Sequence, residues 1–179
     1  MSTALLIIDI QRALCTGEEA AFDIERVVEK INALGADARA AGVPVVLVQH
    51  EEDTGALRFA GDGWQLAESL VTAPTDLRTR KTAPDSFHDT GLHAQLSSLG
   101  IDRLVVCGLQ SDCCVEATSR GALALGYEVA LAADAHSTVD SNGIAAAQLS
   151  ARVNSALADL ADAGQRIAVL PAEQIRIHA

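Results

Sequence analysis

The sequence predicts an α/β fold of three layers, with a mostly parallel, roughly six-stranded open sheet between helices. Two patterns carry that prediction. Runs such as Ala4–Ile10, Pro44–Gln49 and Leu104–Cys107 are apolar at consecutive rather than alternate positions, as in strands covered on both faces. Between these runs apolar residues recur at helical spacing, and glycine or proline marks the joins.

The elements follow in order. Ala4–Ile10 is the first strand, and Ile24, Val27, Val28, Ile31 and Leu34 then share one helix face until Gly42-Val43-Pro44 interrupts them. Pro44–Gln49 (PVVLVQ) is the second strand. Glu51–Gly63 is polar and contains glycine, the composition of a loop, and Trp64–Val71 reads as a short helix. Leu77–Arg80 is a brief extended run, and Thr90–Leu99 is a helix stopped by Gly100. The strand Arg103–Gly108, the helix Asp112–Leu125 with Gly126 behind it, and the strand Glu128–Ala133 repeat the unit. An alanine-rich helix from about Gly143 to Ala163 precedes the last strand, Ile167–Leu170. No repeat, low-complexity tract or linker divides residues 1–179, so a single domain is expected.

Composition narrows the function. Thirteen basic against twenty-four acidic residues give a net charge of −11, a field that repels phosphate backbones and anionic lipid surfaces. Nucleic acid and membranes are therefore poor partners, and a small molecule is the expected one. The opening MSTALLIIDIQ has no basic lead and its apolar run is broken at Asp9, so it reads as neither signal peptide nor spanning helix, and the expected location is cytoplasmic. Cys15, Cys107, Cys113 and Cys114 lack metal-type spacing, and Cys107, between Val106 and Gly108 in mid-strand, reads as a small buried hydrophobe.

Chemistry concentrates at the strand ends. In RLVVCGLQSDCCVEAT (Arg103–Thr118) an apolar strand passes through Gly108 and a polar turn into a helix that opens on Cys113 and Cys114, where unpaired N–H groups favour a thiolate. Asp9 closes the first strand, and Lys81 follows the run ending Arg78-Thr79-Arg80. Ligands of open parallel sheets bind outside the carboxyl ends of the strands, where Asp9, His50, Lys81, the 108–114 turn and Asp134 all fall. An acid, an amine and a thiol in that zone are the parts of a cysteine hydrolase. Asp112 reads as a helix N-cap, and Ser86, Phe87 and Thr90 as the segment that positions Lys81. His136 reads either as a pocket residue or as a hydrogen-bonded structural histidine. Trp64, among very few aromatics, is the candidate ring to face a substrate.

Three blocks, ALLIIDIQ (Ala4–Gln11), RKTAPDSFHDTGL (Arg80–Leu92) and VVCGLQSDCCVEATSRGALALGY (Val105–Tyr127), resemble the isochorismatase-like cysteine hydrolases. That superfamily includes nicotinamidases, N-carbamoylsarcosine amidases and streptothricin-hydrolase-like amidohydrolases, and the resemblance runs from about Ala4 through Leu160. It implies a catalytic set of Asp9, Lys81 and Cys114, a cis peptide at Leu109–Gln110, and an oxyanion hole made by the backbone N–H groups of Gln110 and Cys114. It also implies hydrolysis of a small amide, carbamoyl or lactam-type substrate through a thioacyl-enzyme. Gln11, His50, Trp64 and His136 are the substrate-pocket candidates. The nicotinamidase metal cluster, Asp-x-His, is replaced by Gln49-His50-Glu51-Glu52-Asp53, so neither metal nor cofactor is expected. Arg12-Ala13-Leu14 departs from the acidic and aromatic residues common in relatives.

Two rivals stand beside this reading: vinyl-ether hydrolysis of the isochorismate type, which uses the aspartate alone, and a non-catalytic thiol module for binding or redox sensing. Successive helical residues point about 100° apart, so Cys113 and Cys114 cannot both face one pocket. The resemblance, in which the nucleophile immediately precedes Val115, implies that Cys114 faces Asp9 and Lys81 and is alkylated first, with Cys113 turned to packing or solvent. A homodimer or homotetramer is expected from the apolar face Ile144, Ala147, Leu149, Val153, Leu157 and Leu160 and from the habit of relatives.

Overall fold

In the computed structural model, which describes residues 2–178, the strands are β1 (Thr3–Ile8), β2 (Val45–His50), β3 (Leu77–Lys81), β4 (Arg103–Leu109), β5 (Glu128–Ser137) and β6 (Ile167–Leu170). They form one sheet in the order β3-β2-β1-β4-β5-β6, with every neighbouring pair parallel. The helices are α1 (Arg12–Cys15), α2 (Ile24–Ala40), α3 (Leu92–Ser98), α4 (Glu116–Ala124) and α5 (Ala146–Asp162). Among the described residues no helix is long and apolar enough to cross a membrane.

The continuous apolar character of β1 has a direct structural cause. Leu5 and Ile7 pack in one layer with Val27, Val28, Ile31 and Leu34 of α2. Ala4, Leu6 and Ile8 pack in the other with Leu92 and Leu96 of α3, Ala122 of α4, and Val153 and Leu157 of α5. Because successive side chains leave a strand on opposite faces, both sets must be apolar. The chain builds outward from β1 through β2 to β3, then returns to place β4 on the other side of β1. The order therefore reverses between β1 and β4, and the crevice of an open α/β sheet opens at such a switch, outside the carboxyl ends.

Several sequence expectations change. Trp64–Val71 is not a helix but a run of turns, because its backbone groups pair with the chain after β1. Arg12 N–H donates to Gln65 O at 2.8 Å, and Ala67 N–H donates to Ile10 O at 2.9 Å. α1 is too short to leave a period in the sequence. β5 continues past Ala133 to Ser137, pairing His136 with Gly108 and Ser137 with Leu109 after a register shift. The helix expected from Asp112 begins as a π-helical turn, Ser111–Val115, and Asp112 is not its cap: its Oδ1 accepts instead from Thr138 Oγ1 at 2.7 Å. On α5, Val153 and Leu157 are buried and Leu160 is packed against the same layer, so much of the face expected to meet another subunit covers this chain's own sheet.

Gly108 lets β4 run against β1 at the switch. Its φ is +122°, and a Cβ there would lie 2.1 Å from Ile8 O and 2.6 Å from Ile8 N. No rotamer relieves a clash with backbone. Gly108→Ala should cost on the order of 3 kcal/mol and lower the thermal midpoint by roughly 6–12 °C. A calorimetric melt unchanged from the parent would contradict the close approach.

Candidate active site

Each reactive side chain is placed by a strand end. Asp9 follows β1 with φ +54°, its N–H bonded to Val48 O at 2.9 Å, and its carboxylate turned inward. Lys81 ends β3, beside His50 at the end of β2. Its side chain crosses the end of β2 to reach the β1–β4 switch. There Lys81 Nζ lies 3.0 Å from Asp9 Oδ2, 3.1 Å from Cys114 Sγ and 3.1 Å from Ala83 O, with His50 Nδ1 at 3.4 Å. Asp9 and Lys81 are each 1% exposed, and Cys114 is 9% exposed.

Burial and charge set the protonation of this group. Burial pushes Asp9 above the usual carboxylate range against the pull of Lys81, which makes it a stronger base. Burial would lower Lys81, but the charges of Asp9 and Cys114 prevail and hold its ammonium above the ordinary lysine value. For Cys114, burial first and the Asp9 charge second raise the thiol, with Lys81 opposing them. The 3.0 Å contact of the ammonium with Asp9 Oδ2 and the raised Cys114 thiol favour an Asp9–Lys81 ion pair beside a neutral sulfur. Asp9 Oδ1 is buried and has no hydrogen-bond partner, which leaves an acceptor for the thiol proton.

Cys114 faces this pair, whereas Cys113 is exposed, their sulfurs 3.9 Å apart. The Leu109–Gln110 peptide is cis. Gln110 borders a groove of about 580 Å³ that also meets Leu14, Phe22 and Val139.

The pocket candidates divide. His50 belongs to the site, with its Nδ1 toward Lys81; burial and then the Lys81 charge lower its pKa and favour the neutral ring. Gln11 does not line a pocket. It is fully buried, its Nε2 donating to His50 O and Trp64 O at 2.9 Å each while its Oε1 accepts from His50 N–H at 2.9 Å. Trp64 stands edge-on to Phe59 with centroids 5.0 Å apart, and the Arg80 guanidinium lies 4.2 Å over the Phe59 ring, so one flank of the indole is covered by protein. His136 is the structural histidine of the two readings, held between Ser111 Oγ at 2.7 Å and Asn154 Oδ1 at 2.8 Å. Asp134 is drawn away because β5 outruns it, and it binds Ala172 N–H at 2.7 Å and Lys30 at 3.3 Å. Among the described residues no three His, Cys, Asp or Glu side chains gather to hold a metal, and the Lys81 ammonium beside His50 would repel one.

The segment after Lys81 is tied to α4, as Ser86 and Thr90 suggested. Ser86 N–H donates to Thr118 Oγ1 at 3.0 Å, the two hydroxyls meet at 2.8 Å, and Thr90 Oγ1 donates to Ser86 O at 2.7 Å. Thr118 was missed because a threonine within a helix gives no signal of its own. Ser111, Asn154 and the Ala83 carbonyl were missed for the same lack of local pattern.

The isochorismatase domain model matches residues 3–165. The chain belongs to the isochorismatase family. It is 39% identical over 176 residues to streptothricin hydrolase of Streptomyces noursei, which covers 94% of this chain and 64% of that protein, so the chain spans less than two thirds of that relative. It is 36% identical to the secreted isochorismatase effector Isc1 of Verticillium dahliae, over 89% of this chain and 84% of the other. Among solved structures, an isochorismatase from Pseudomonas putida KT2440 superposes with TM-score 0.86 at 29% identity, covering 97% of this chain and 90% of the other. N-carbamoylsarcosine amidase from Thermoplasma acidophilum superposes with TM-score 0.82 at 22% identity, covering 98% and 99%, a likeness of fold.

For an isochorismatase-family site with these exposures, the expected order of alkylation reverses. Iodoacetamide should label the open Cys113 before the buried, protonated Cys114 in the free protein, as read by peptide mass. Lys81→Met removes the positive charge that favours the Cys114 thiolate and should slow labelling of Cys114 by about tenfold or more, one pKa unit being tenfold in thiolate. Faster labelling of Cys114 in that variant would contradict the charge assignment.

Proposed function

We propose that this protein is a cysteine-dependent hydrolase of C–N bonds in small amide, carbamoyl or lactam-type substrates, working through a thioacyl-enzyme. The observation that carries the reading is the double contact of one buried ammonium, Lys81 Nζ, with Asp9 Oδ2 at 3.0 Å and Cys114 Sγ at 3.1 Å. A structural ion pair has no need of the sulfur. An ammonium that touches both groups neutralises the negative charge on whichever of them carries it while a proton moves between them.

In this mechanism Asp9 Oδ1 takes the thiol proton as Cys114 Sγ bonds to the substrate carbonyl carbon. The carbonyl π electrons move to oxygen, and the N–H groups of Gln110 and Cys114 receive the oxyanion. The C–N bond then breaks as Asp9 gives its proton to the leaving nitrogen. Water adds to the thioester, losing a proton to Asp9, and the C–S bond breaks as that proton returns to sulfur. Lys81 remains charged throughout. The names of relatives support the reaction class: besides streptothricin hydrolase, the chain is 28% identical over 170 residues to ureidoacrylate amidohydrolase of Pseudomonas syringae. A redox-sensing role fits less well, since sensor thiols are accessible and of low pKa whereas Cys114 is buried with its pKa raised.

The test is ammonia or amine release from a panel of primary amides, carbamoyl compounds and lactams. Against the best substrate, Cys114→Ser and Asp9→Asn should each lose on the order of 10³-fold or more in kcat while remaining folded, and Cys113→Ala should keep most of the activity. Turnover by Cys114→Ala together with an inactive Asp9→Asn would move the reading to aspartate-only chemistry. An inactive Cys113→Ala beside an active Cys114→Ala would assign the nucleophile to the neighbouring residue.

A further inference from the structure

The turn between β4 and α4 is held from behind by side chains for which the hydrolytic steps have no use. Ser111 Oγ lies 2.7 Å from His136 Nδ1 and 2.9 Å from Ser150 Oγ, and Asp112 Oδ1 accepts from Thr138 Oγ1 at 2.7 Å. The partners come from the far end of β5 (His136), from the residue just beyond it (Thr138) and from α5 (Ser150).

One fixed amide sets the direction of the first set of bonds. Asn154 Nδ2 donates to Ala133 O at 3.0 Å, so Asn154 Oδ1, 2.8 Å from His136 Nε2, must accept from it. His136 is therefore protonated on Nε2, and its bare Nδ1 accepts the Ser111 hydroxyl proton, leaving Ser111 Oγ to accept from Ser150. Burial, which lowers the His136 pKa, keeps that ring neutral. Bonds directed from Ser150 to Ser111, His136, Asn154 and the Ala133 carbonyl leave the Ser111 hydroxyl one orientation. Ser111 is fully buried. His136, Ser150 and Asn154 border a cleft of about 210 Å³ between α2 and α5, distinct from the groove that Gln110 borders.

We propose that Ser111, His136 and Asn154 form a positioning relay that fixes the backbone of the Gln110–Cys114 turn for oxyanion binding. The proposal rests on the reading of the Gln110 and Cys114 N–H groups as oxyanion donors. Backbone donors cannot be aimed by choosing a rotamer; only anchoring of the flanking residues aims them, and Ser111 follows Gln110 directly.

Two reactions of the same sulfur separate aim from reactivity. With iodoacetamide, Cys114 Sγ bonds to the methylene carbon as iodide leaves, and no oxyanion forms. With propionaldehyde, Sγ adds to the carbonyl carbon and the thiol proton passes to the carbonyl oxygen, which then sits at the donors. In a Cys113→Ala background, the labelling rate of the Cys114 peptide gives the first, and its slowing by propionaldehyde gives the affinity of the second. Ser111→Ala and His136→Leu should weaken aldehyde protection by about tenfold or more while changing the unprotected labelling rate less than about threefold. His136→Asn, which keeps an acceptor near the Nδ1 position, should restore most of the protection. Should His136→Leu fail to fold, Ser111→Ala and Ser150→Ala carry the comparison. Protection that survives in the folded relay variants overturns the relay alone, as does a parallel fall in both reactions. No protection in the parent overturns the oxyanion reading and the relay with it.

Discussion

A charged amine shut away from water must be neutralised by its neighbours, and Lys81 imposes that demand on the centre of this molecule. Its ammonium is met by a carboxylate, a sulfur and a carbonyl from three different stretches of chain. Breaking any one of these contacts would leave a buried charge undercompensated. The ends of β1, β3 and β4 are thereby tied to one point, and β2 is held beside them through His50. The same arrangement that satisfies the lysine gathers a carboxylate and a thiol around one ammonium, so the energetic requirement and the proposed chemistry share a geometry.

The scaffold keeps that point small. At the switch between β1 and β4, Gly108 allows backbone to approach backbone where any side chain would intrude on Ile8. β5 then runs past its neighbours and brings His136, with Thr138 just beyond the strand, to the back of the Gln110–Cys114 turn. On the opposite side, Gln11 joins the chain after β1 to the end of β2 and to the Trp64 carbonyl, which Gln49 Nε2 also meets at 3.0 Å. A buried amide making three bonds to backbone acts as a clamp. It holds His50 beside Lys81 while its own bonds go to the His50 and Trp64 backbone.

What was legible in the sequence was what a local pattern records. The fully covered strands could be read because both faces must be apolar, and α2 because Val27, Val28, Ile31 and Leu34 keep helical period. Asp9, Lys81 and Cys114 could be read because each falls within a distinctive block at a strand end. The rest depends on distant pairings. Trp64–Val71 carries a plausible helical spacing, yet its polar groups belong to residues 10–12, a preference invisible within its own window. Asp112 has the chemistry of a cap, but Thr138 offers its carboxylate a different partner. Gln11 and His136 lie close to strand ends in the sequence, but that position gives no indication that backbone and hydrogen-bonding neighbours already occupy their polar atoms. On α5, Val153, Leu157 and Leu160 are apolar for the sheet beneath them, and composition alone does not say which surface an apolar face covers.

The central claim is that the resting site holds its negative charge on Asp9, paired with Lys81, and its proton on Cys114. Thiolate absorbance near 240 nm, taken as the difference between the Cys113→Ala protein and the same protein carrying Cys114→Ser, follows that proton directly across pH. The account predicts no Cys114 thiolate at neutral pH, with the signal rising only above the ordinary cysteine range of roughly 8–9. A thiolate signal at pH 7 that disappears with Cys114→Ser would place the charge on sulfur and contradict the account.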